Sequence, residues 1–302
     1  MCIEKIELPL NFDVKNINCY VIKEDPITII DPGIYSKKFI NFLKEKLNKI
    51  KLNFSDIKRI LLTHGHTDHA GIAGFLQEKY GCEIFINKND YEKITLDIQE
   101  KIELKRETFG KFLEKEKFPK EIIDFLIQYV TEFYKFSYKA KEIKFLNDGD
   151  IIEFEKFTLK VIFLPGHTSG HCGFIYNENF FSGDVLLKDI FVTPILEFEK
   201  DGSSKRNLEN FLKSLEKIKD FIELKWLTGH DDGNFNKLNR IEELKNFLNS
   251  WMRKIKNSYN FLLTGYENFI KLFSQINKEK LLFYISLYFG ILEILKKNID
   301  KK

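Results

Sequence analysis

All six histidines of the chain stand in or beside short runs with metal-ligand spacing. His64, His66 and His69 share the run Thr63-His64-Gly65-His66-Thr67-Asp68-His69 with Asp68. His167 and His171 lie in Pro165-Gly166-His167-Thr168-Ser169-Gly170-His171, and His230 lies in Thr228-Gly229-His230-Asp231. Histidine is the commonest metal ligand among side chains. Alternate positions of an extended segment project to one side, so His64 and His66 can reach one ion. Asp68 and His69, adjacent in a turn that enters a helix, can face a second. A three-histidine site with an open position suits zinc carrying a water, and Asp68 adds a hard oxygen donor. Three further donors each follow a strand and a glycine: His167, Asp184 and His230. That is where α/β proteins keep functional loops. His171 is one donor too many and is expected to orient a ligand or the substrate from behind.

These loops need strands to hold them. Ile17 to Ile22 and Ile27 to Ile30 are β-branched runs, the second stopped by Asp31-Pro32-Gly33. Ser36 to Ile50 predicts a helix, Arg59 to Thr63 a short buried strand, Ala70 to Tyr80 a helix and Glu83 to Asn87 a strand. Strand signals return at Ile151 to Phe154, Thr158 to Leu164, Cys172 to Tyr176, Phe180 to Ser182 and Lys225 to Thr228, with a helix at Asn207 to Phe221. Residues 88–141 differ: they are dense in Lys and Glu, and Ile122, Ile123, Leu126, Val130, Phe133 and Tyr134 keep a helical period. Two or three inserted helices are expected there, a candidate lid because they follow the first histidine cluster, with Tyr134 and Phe136 facing the pocket. Beyond Leu238 the periodicity is helical, with further helices at Glu267 to Gln275 and Lys280 to Asn298. The order of elements predicts an α/β layered domain over 1–238 and a small all-helical part over 239–302, itself a candidate homodimer contact.

Bulk composition narrows the partners. The net charge is +3 from 48 basic and 45 acidic residues, which favours neither nucleic acid nor an anionic membrane. A small-molecule substrate is the expectation. The longest largely apolar run, Leu281 to Leu292, is too short to span a bilayer. The start of the chain has no basic segment followed by an apolar one. The cysteines Cys2, Cys19, Cys82 and Cys172 form no CxxC pair and suggest free thiols in a reducing cytoplasm. The 30 phenylalanines predict an aromatic-rich core.

The run His64-Gly65-His66-Thr67-Asp68-His69, with Gly166-His167-Thr168, Ser182-Gly183-Asp184 and Gly229-His230, resembles the metallo-β-lactamase-fold hydrolases. Asn18-Cys19-Tyr20-Val21-Ile22 and Ile29-Ile30-Asp31-Pro32-Gly33 are similar to that family's opening strands. The resemblance covers roughly residues 3 to 235. It implies an αβ/βα sandwich with a helical insertion and a small helical C-terminal part. It implies a first site of His64, His66 and His167, a second of Asp68, His69 and His230, and Asp184 bridging the two. The loop from Gly166 to His171 is similar to that of glyoxalase II. The insertion, the stretch from Leu187 to Pro194 and the tail resemble a longer bacterial branch of β-lactamase-like protein 2 type, whose tail is a degenerate winged helix. The basic C-terminal motif with which glyoxalase II grips glutathione is not evident. The implied activity is hydrolysis of an ester, thioester or lactone by a hydroxide held on two Zn²⁺ ions, with Fe or Mn as alternative metals. Asp68 would orient that hydroxide and accept its proton. The rivals on the same fold are a nuclease or phosphodiesterase, and a sulfur dioxygenase with one iron.

Overall fold

Short β-branched and aromatic segments, the central ones buried on both faces, build two sheets. The structure, a computed structural model, describes residues 3–10 and 14–299. The first sheet runs in chain order through β1 (Ile3–Pro9), β2 (Asn16–Ile22), β3 (Thr28–Ile30), β4 (Arg59–Leu61), β5 (Glu83–Asn87) and β6 (Ile143–Leu146). Its first two pairings are antiparallel and its last three parallel. The second sheet holds β7 (Ile151–Glu153), β8 (Thr158–Phe163), β9 (Cys172–Tyr176), β10 (Asn179–Gly183) and β11 (Lys225–Thr228), antiparallel except for the parallel pair β10–β11.

Alternation along each strand sorts the side chains into layers. On β2, Ile17, Cys19 and Val21 face one apolar cluster while Tyr20 and Ile22 face another. Ile29 and Ile30 of β3, and Ile60 and Leu61 of β4, divide the same way. Tyr20, Ile30, Leu61, Val161, Phe174 and Phe181 fill the space between the two sheets. The outer face of the first sheet packs on α1 (Lys37–Lys49) and on α3 (Ala73–Tyr80), which follows the single turn α2 (Thr67–Ala70). Ser36 caps α1 by accepting the Phe39 N–H at 3.2 Å, and the i, i+4 row Phe39, Leu43 and Leu47 is buried. This is the αβ/βα sandwich, with a mixed α/β composition.

Four helices occupy the insertion where two or three are expected: α4 (Tyr91–Thr95), α5 (Ile98–Lys105), α6 (Lys111–Lys115) and α7 (Lys120–Glu132). A π-helical turn, Arg106–Gly110, joins α5 to α6. The outer face of the second sheet packs on α8 (Asn207–Lys217) and the start of α9 (Lys237–Ser258). The tail continues through α10 (Gly265–Phe273) and α11 (Leu281–Ile299), with no strand among its described residues. Insertion and tail share one core. Phe109, Leu113, Phe118 and Leu126 pack with Leu248, Ile255, Phe269 and Tyr288.

Other departures are local. The helix expected over Ala70 to Tyr80 is broken because the Ile72 N–H turns to Gly33 O at 2.9 Å. Strands β1 and β6 are not among the expected elements: β1 alternates charged and aliphatic residues over a short stretch and pairs with β2 from Ile3↔Ile22 to Pro9↔Asn16. Cys19, Cys82 and Cys172 are buried free thiols, and Cys2 lies outside the described residues. No helix among the described residues is long and apolar enough to cross a membrane.

Candidate metal centre

Strand direction decides which loops meet. β3 and β4 are parallel, so Asp31 and the His64 segment leave the first sheet at the same edge. β8 and β10 are each antiparallel to β9 and therefore run the same way, and β11 is parallel to β10. The loops carrying His167, Asp184 and His230 consequently leave the second sheet at one edge. The two edges are tied together across the sandwich. Cys172 N–H donates to Thr63 O at 2.7 Å, Asn18 N–H to Gly229 O at 2.7 Å, and the Tyr20 hydroxyl to Thr228 O at 2.7 Å.

Seven of the eight residues singled out by type and spacing converge there. Three overlapping groups of donor atoms each lie within 4.8 Å: His64, His66 and His167; His64, His69 and Asp184; Asp68, His69 and His230. His64 Nε2 and His66 Nδ1 are 3.0 Å apart, and His69 Nε2 and His230 Nε2 are 3.2 Å apart. Zinc–nitrogen bonds of about 2.0–2.1 Å give tetrahedral edges of about 3.3 Å, so these spacings suit donors around a shared ion. Asp184 Oδ2 sits between the groups, 3.1 Å from His230 Nε2, 3.4 Å from His69 Nε2 and 3.8 Å from His167 Nε2. Asp68 Oδ2 lies 3.5 Å from His230 Nε2.

The ring nitrogens that face away are committed elsewhere. His69 Nδ1–H donates to Asp31 Oδ2 at 2.8 Å, His230 Nδ1–H to Asn16 O at 2.6 Å and His167 Nδ1–H to Thr193 O at 3.0 Å. The Thr63 hydroxyl donates to Asp31 Oδ2 at 2.6 Å, so at 3.0 Å it accepts from His64 Nδ1–H. These bonds leave the Nε2 lone pairs of His64, His69, His167 and His230 pointing at one another. Such an arrangement is repulsive unless a proton or a cation lies between. His167 Nε2 and Asp184 Oδ1 are buried without a hydrogen-bond partner among the described residues. The donor set therefore fits metal and leaves those atoms unexplained without it.

Electrostatics differ across the cluster. Burial holds His64 and His66 well below the usual imidazole range and lowers His167 too, so these rings are neutral, as a ligand must be. Burial also opposes charge on His69 and His230, yet Asp184 and its acidic neighbours outweigh it and raise both. Asp184 feels the same burial, but His230 and His69 pull its carboxyl well below the usual range.

His171 joins none of the three groups. Its Nε2 accepts the Asp184 N–H at 3.0 Å, and burial drops its pKa to about 4. The glycines before the donors have steric reasons. A Cβ on Gly229 would overlap Asp184 Oδ1, and Gly183, at φ +51, would place one 2.7 Å from His171 Nε2.

Several supporting residues are not picked out by motif spacing. Asp31 reads as part of a turn, yet it orders both Thr63 and His69. Asp90 is fully buried and accepts from Gly65 N–H at 2.8 Å, the Thr168 hydroxyl at 2.6 Å, Gly170 N–H at 3.1 Å and Lys93 Nζ at 2.5 Å. It thereby fastens the first histidine loop to the His167 loop. Glu197 continues the network to Lys93 at 2.9 Å and to Ser169 N–H at 3.1 Å.

A layered αββα fold with histidine and aspartate donors gathered at one edge defines a metal-centred class of protein. The description "Metallo-beta-lactamase superfamily" matches residues 12–226, and the chain belongs to that superfamily. It is 30% identical over 175 residues to hydroxyacylglutathione hydrolase GloC of Haemophilus influenzae, covering 57% of this chain and 67% of that protein. It is 28% identical over 218 residues to the probable metallo-hydrolase YqjP of Bacillus subtilis, covering 70% and 66%. The match thus spans about two thirds of the length of each of these two relatives. The crystal structure of a metallo-beta-lactamase family protein from Thermus thermophilus superposes with a TM-score of 0.78 at 22% identity, over 98% of this chain and 93% of that one.

Proposed function

We propose that the chain is a hydrolase of esters, thioesters or lactones that works with two divalent ions, zinc by the nature of its donors. His64, His66 and His167 would hold one ion, Asp68, His69 and His230 the other, and Asp184 both. The supporting observation is Asp184 Oδ2, which has ring nitrogens from both groups within 3.8 Å. When bound, a metal pair supplies Lewis acidity and makes a water acidic enough to ionise near neutral pH.

The chain's own residues would do the rest. Asp31, Asn16, Thr193 and Thr63 hold the Nδ1–H groups, so the rings cannot turn their lone pairs away. His171 and Gly183 fix the backbone of Asp184. Asp68, with its side chain 20% exposed, borders a cavity of about 340 Å³ that His66 also lines. Asp68 would orient the attacking water and take its proton. Cys19 and Cys172 are no rival nucleophiles, because burial pushes both thiols far up.

Metal analysis joined to a substrate screen tests this reading. Purified protein should carry about two zinc ions per chain, lose thioester, ester or lactone cleavage with a chelator and regain it with zinc. A single iron with oxygen uptake, or full hydrolysis by metal-free protein, would overturn it. Cleavage confined to phosphodiesters would move the chain to the nuclease branch.

A further inference from the structure

The cavity that opens on His66 and Asp68 takes part of its wall from the insertion and part from residues 195–198. Lys101, Lys105 and Phe109 line it from α5 and the following turn, and Tyr129, Phe133 and Tyr134 from α7 and beyond. Lys101 and Lys105 are four residues apart and share one face of α5. Lys101 is only 5% exposed; its Nζ donates to the Ser137 hydroxyl at 3.0 Å and stands 5.4 Å from the centre of the Tyr134 ring. Lys105 Nζ stands 5.7 Å from the centre of the Phe109 ring.

Among the described residues neither ammonium has a carboxylate within 4.0 Å. The other charges on the cavity wall are matched. Lys93 bridges Asp90 and Glu197, Glu92 holds Lys200 at 2.7 Å, and Lys205 lies 3.9 Å from Glu199. Asp68 belongs to the histidine cluster. Burial brings the Lys101 ammonium down to about 8 and lowers Lys105 as well, the mark of cations short of compensation. A ring face and one hydroxyl replace only part of the lost hydration. A ligand anion would replace the rest through charge-assisted hydrogen bonds. The aromatic rings that line the cavity together with the two lysines and His66 suit an apolar arm.

We propose that this cavity binds a substrate whose apolar arm ends in a carboxylate or similar anion, held by Lys101 and Lys105 while its scissile carbonyl lies beside His66 and Asp68. The proposal rests on the hydrolase reading for the carbonyl, but the anion site stands or falls by itself.

Two probes separate the claims. Hexane-1-sulfonate and hexan-1-ol share an apolar arm, and a sulfonate is a poor metal ligand. Titrated calorimetrically into the full-length zinc-loaded protein, the sulfonate should bind at least about tenfold tighter. Lys105→Arg should keep that preference, and Lys101→Met with Lys105→Met should abolish it. Lys105→Met alone, at the less buried position, gives the same answer if the double variant does not fold. Equal affinity for the two probes, or a preference that survives the methionines, overturns the proposal. Two thioester series then locate the arm, one with a carboxylate on the acyl side and one with it on the thiol side. In the series that occupies the cavity, the kcat/KM advantage over the methyl-capped analogue should fall about tenfold in Lys105→Met. No fall in either series overturns the proposal. Should neither series, nor the matching esters and lactones, be hydrolysed while the sulfonate preference holds, the hydrolase reading fails and the anion site remains.

Discussion

Around the histidines, individual polar atoms have assigned partners: His69 to Asp31, His230 to Asn16, His167 to Thr193, Gly65 to Asp90. In the core shared by the insertion and the tail, rings lie against rings. Phe112 packs on Phe198 and Phe289, Phe118 on Tyr266 and Phe269, and Trp251 stacks on Phe273. The first region tolerates almost no exchange, since each hydrogen bond has one geometry and an abandoned buried polar atom is costly. The second depends on volume and apolarity, which many residues supply. Hydrogen bonds of fixed direction thus hold the donor loops, whereas apolar packing holds the core shared by insertion and tail.

The contrast can be broken at several points. The largest effect is expected for Asp184→Asn, which keeps the shape of the side chain and removes the charge shared by both donor groups. It should lower kcat/KM by about a thousandfold or more, about 4 kcal/mol of barrier, and reduce the bound metal measured by elemental analysis. Retention of two ions and full activity would refute the bridging role.

Phe269→Ala should act in the opposite sense. Phe269 is 2% exposed and contacts Phe118, Phe273 and Tyr288, so its truncation should cost about 3–5 kcal/mol of stability. Urea unfolding would show this as an earlier midpoint, while the metal content per folded chain stays the same. A loss of metal would mean that the helical core and the donor cluster are coupled more tightly than their separate packing indicates.

Asp31→Asn tests the ring anchoring. It should weaken metal affinity by about 10–100-fold, measured by competition with a chromophoric chelator, because His69 and Thr63 lose their shared acceptor charge.

The smallest effect belongs to the clasp between α8 and α11. Lys297 holds Glu209 at 2.8 and 2.9 Å and Lys213 holds it at 3.0 Å, which lowers its pKa from 4.5 to about 2. A depressed carboxyl stabilises the folded chain above its unfolded pKa, and that contribution is lost as pH falls from about 4.5 towards 2. The pair is partly exposed, so it contributes less than about 1 kcal/mol. Glu209→Gln should therefore lower the urea midpoint slightly at pH 7, and the difference from the parent should shrink through that acid window.

Much of the fold was legible because its signals are local. β2, β5, β9 and β11 fall at or within a residue of where β-branched and aromatic runs place them, and Ser36 starts α1 as a cap should. β1 and β6 escaped because they are short edge strands, carrying charged residues, whose form depends on pairing with the neighbouring strand. The insertion was recognisable as helical, but its π turn and its shared core with the tail depend on packing partners more than a hundred residues away. The supporting acids escaped for a similar reason. Asp31 looks like any turn aspartate, and Asp90 and Glu197 look like ordinary charges in a charged stretch.

The sequence by itself determined the candidate donors: which residues carry lone pairs, their spacing along the chain, the glycine before His66, His167, Asp184 and His230, and the strand that ends at each loop. Those are properties of a few consecutive residues, and chain geometry alone turns spacing into direction. Tertiary structure decided that Asp184 would sit among the rings, that His171 would bind a backbone amide instead of joining a donor group, and that Lys101 and Lys105 would line the same cavity as His66. Each of these depends on sheet order and on which helix covers which edge. Those choices are settled by burying apolar surface across the whole chain, so no short window of residues contains them.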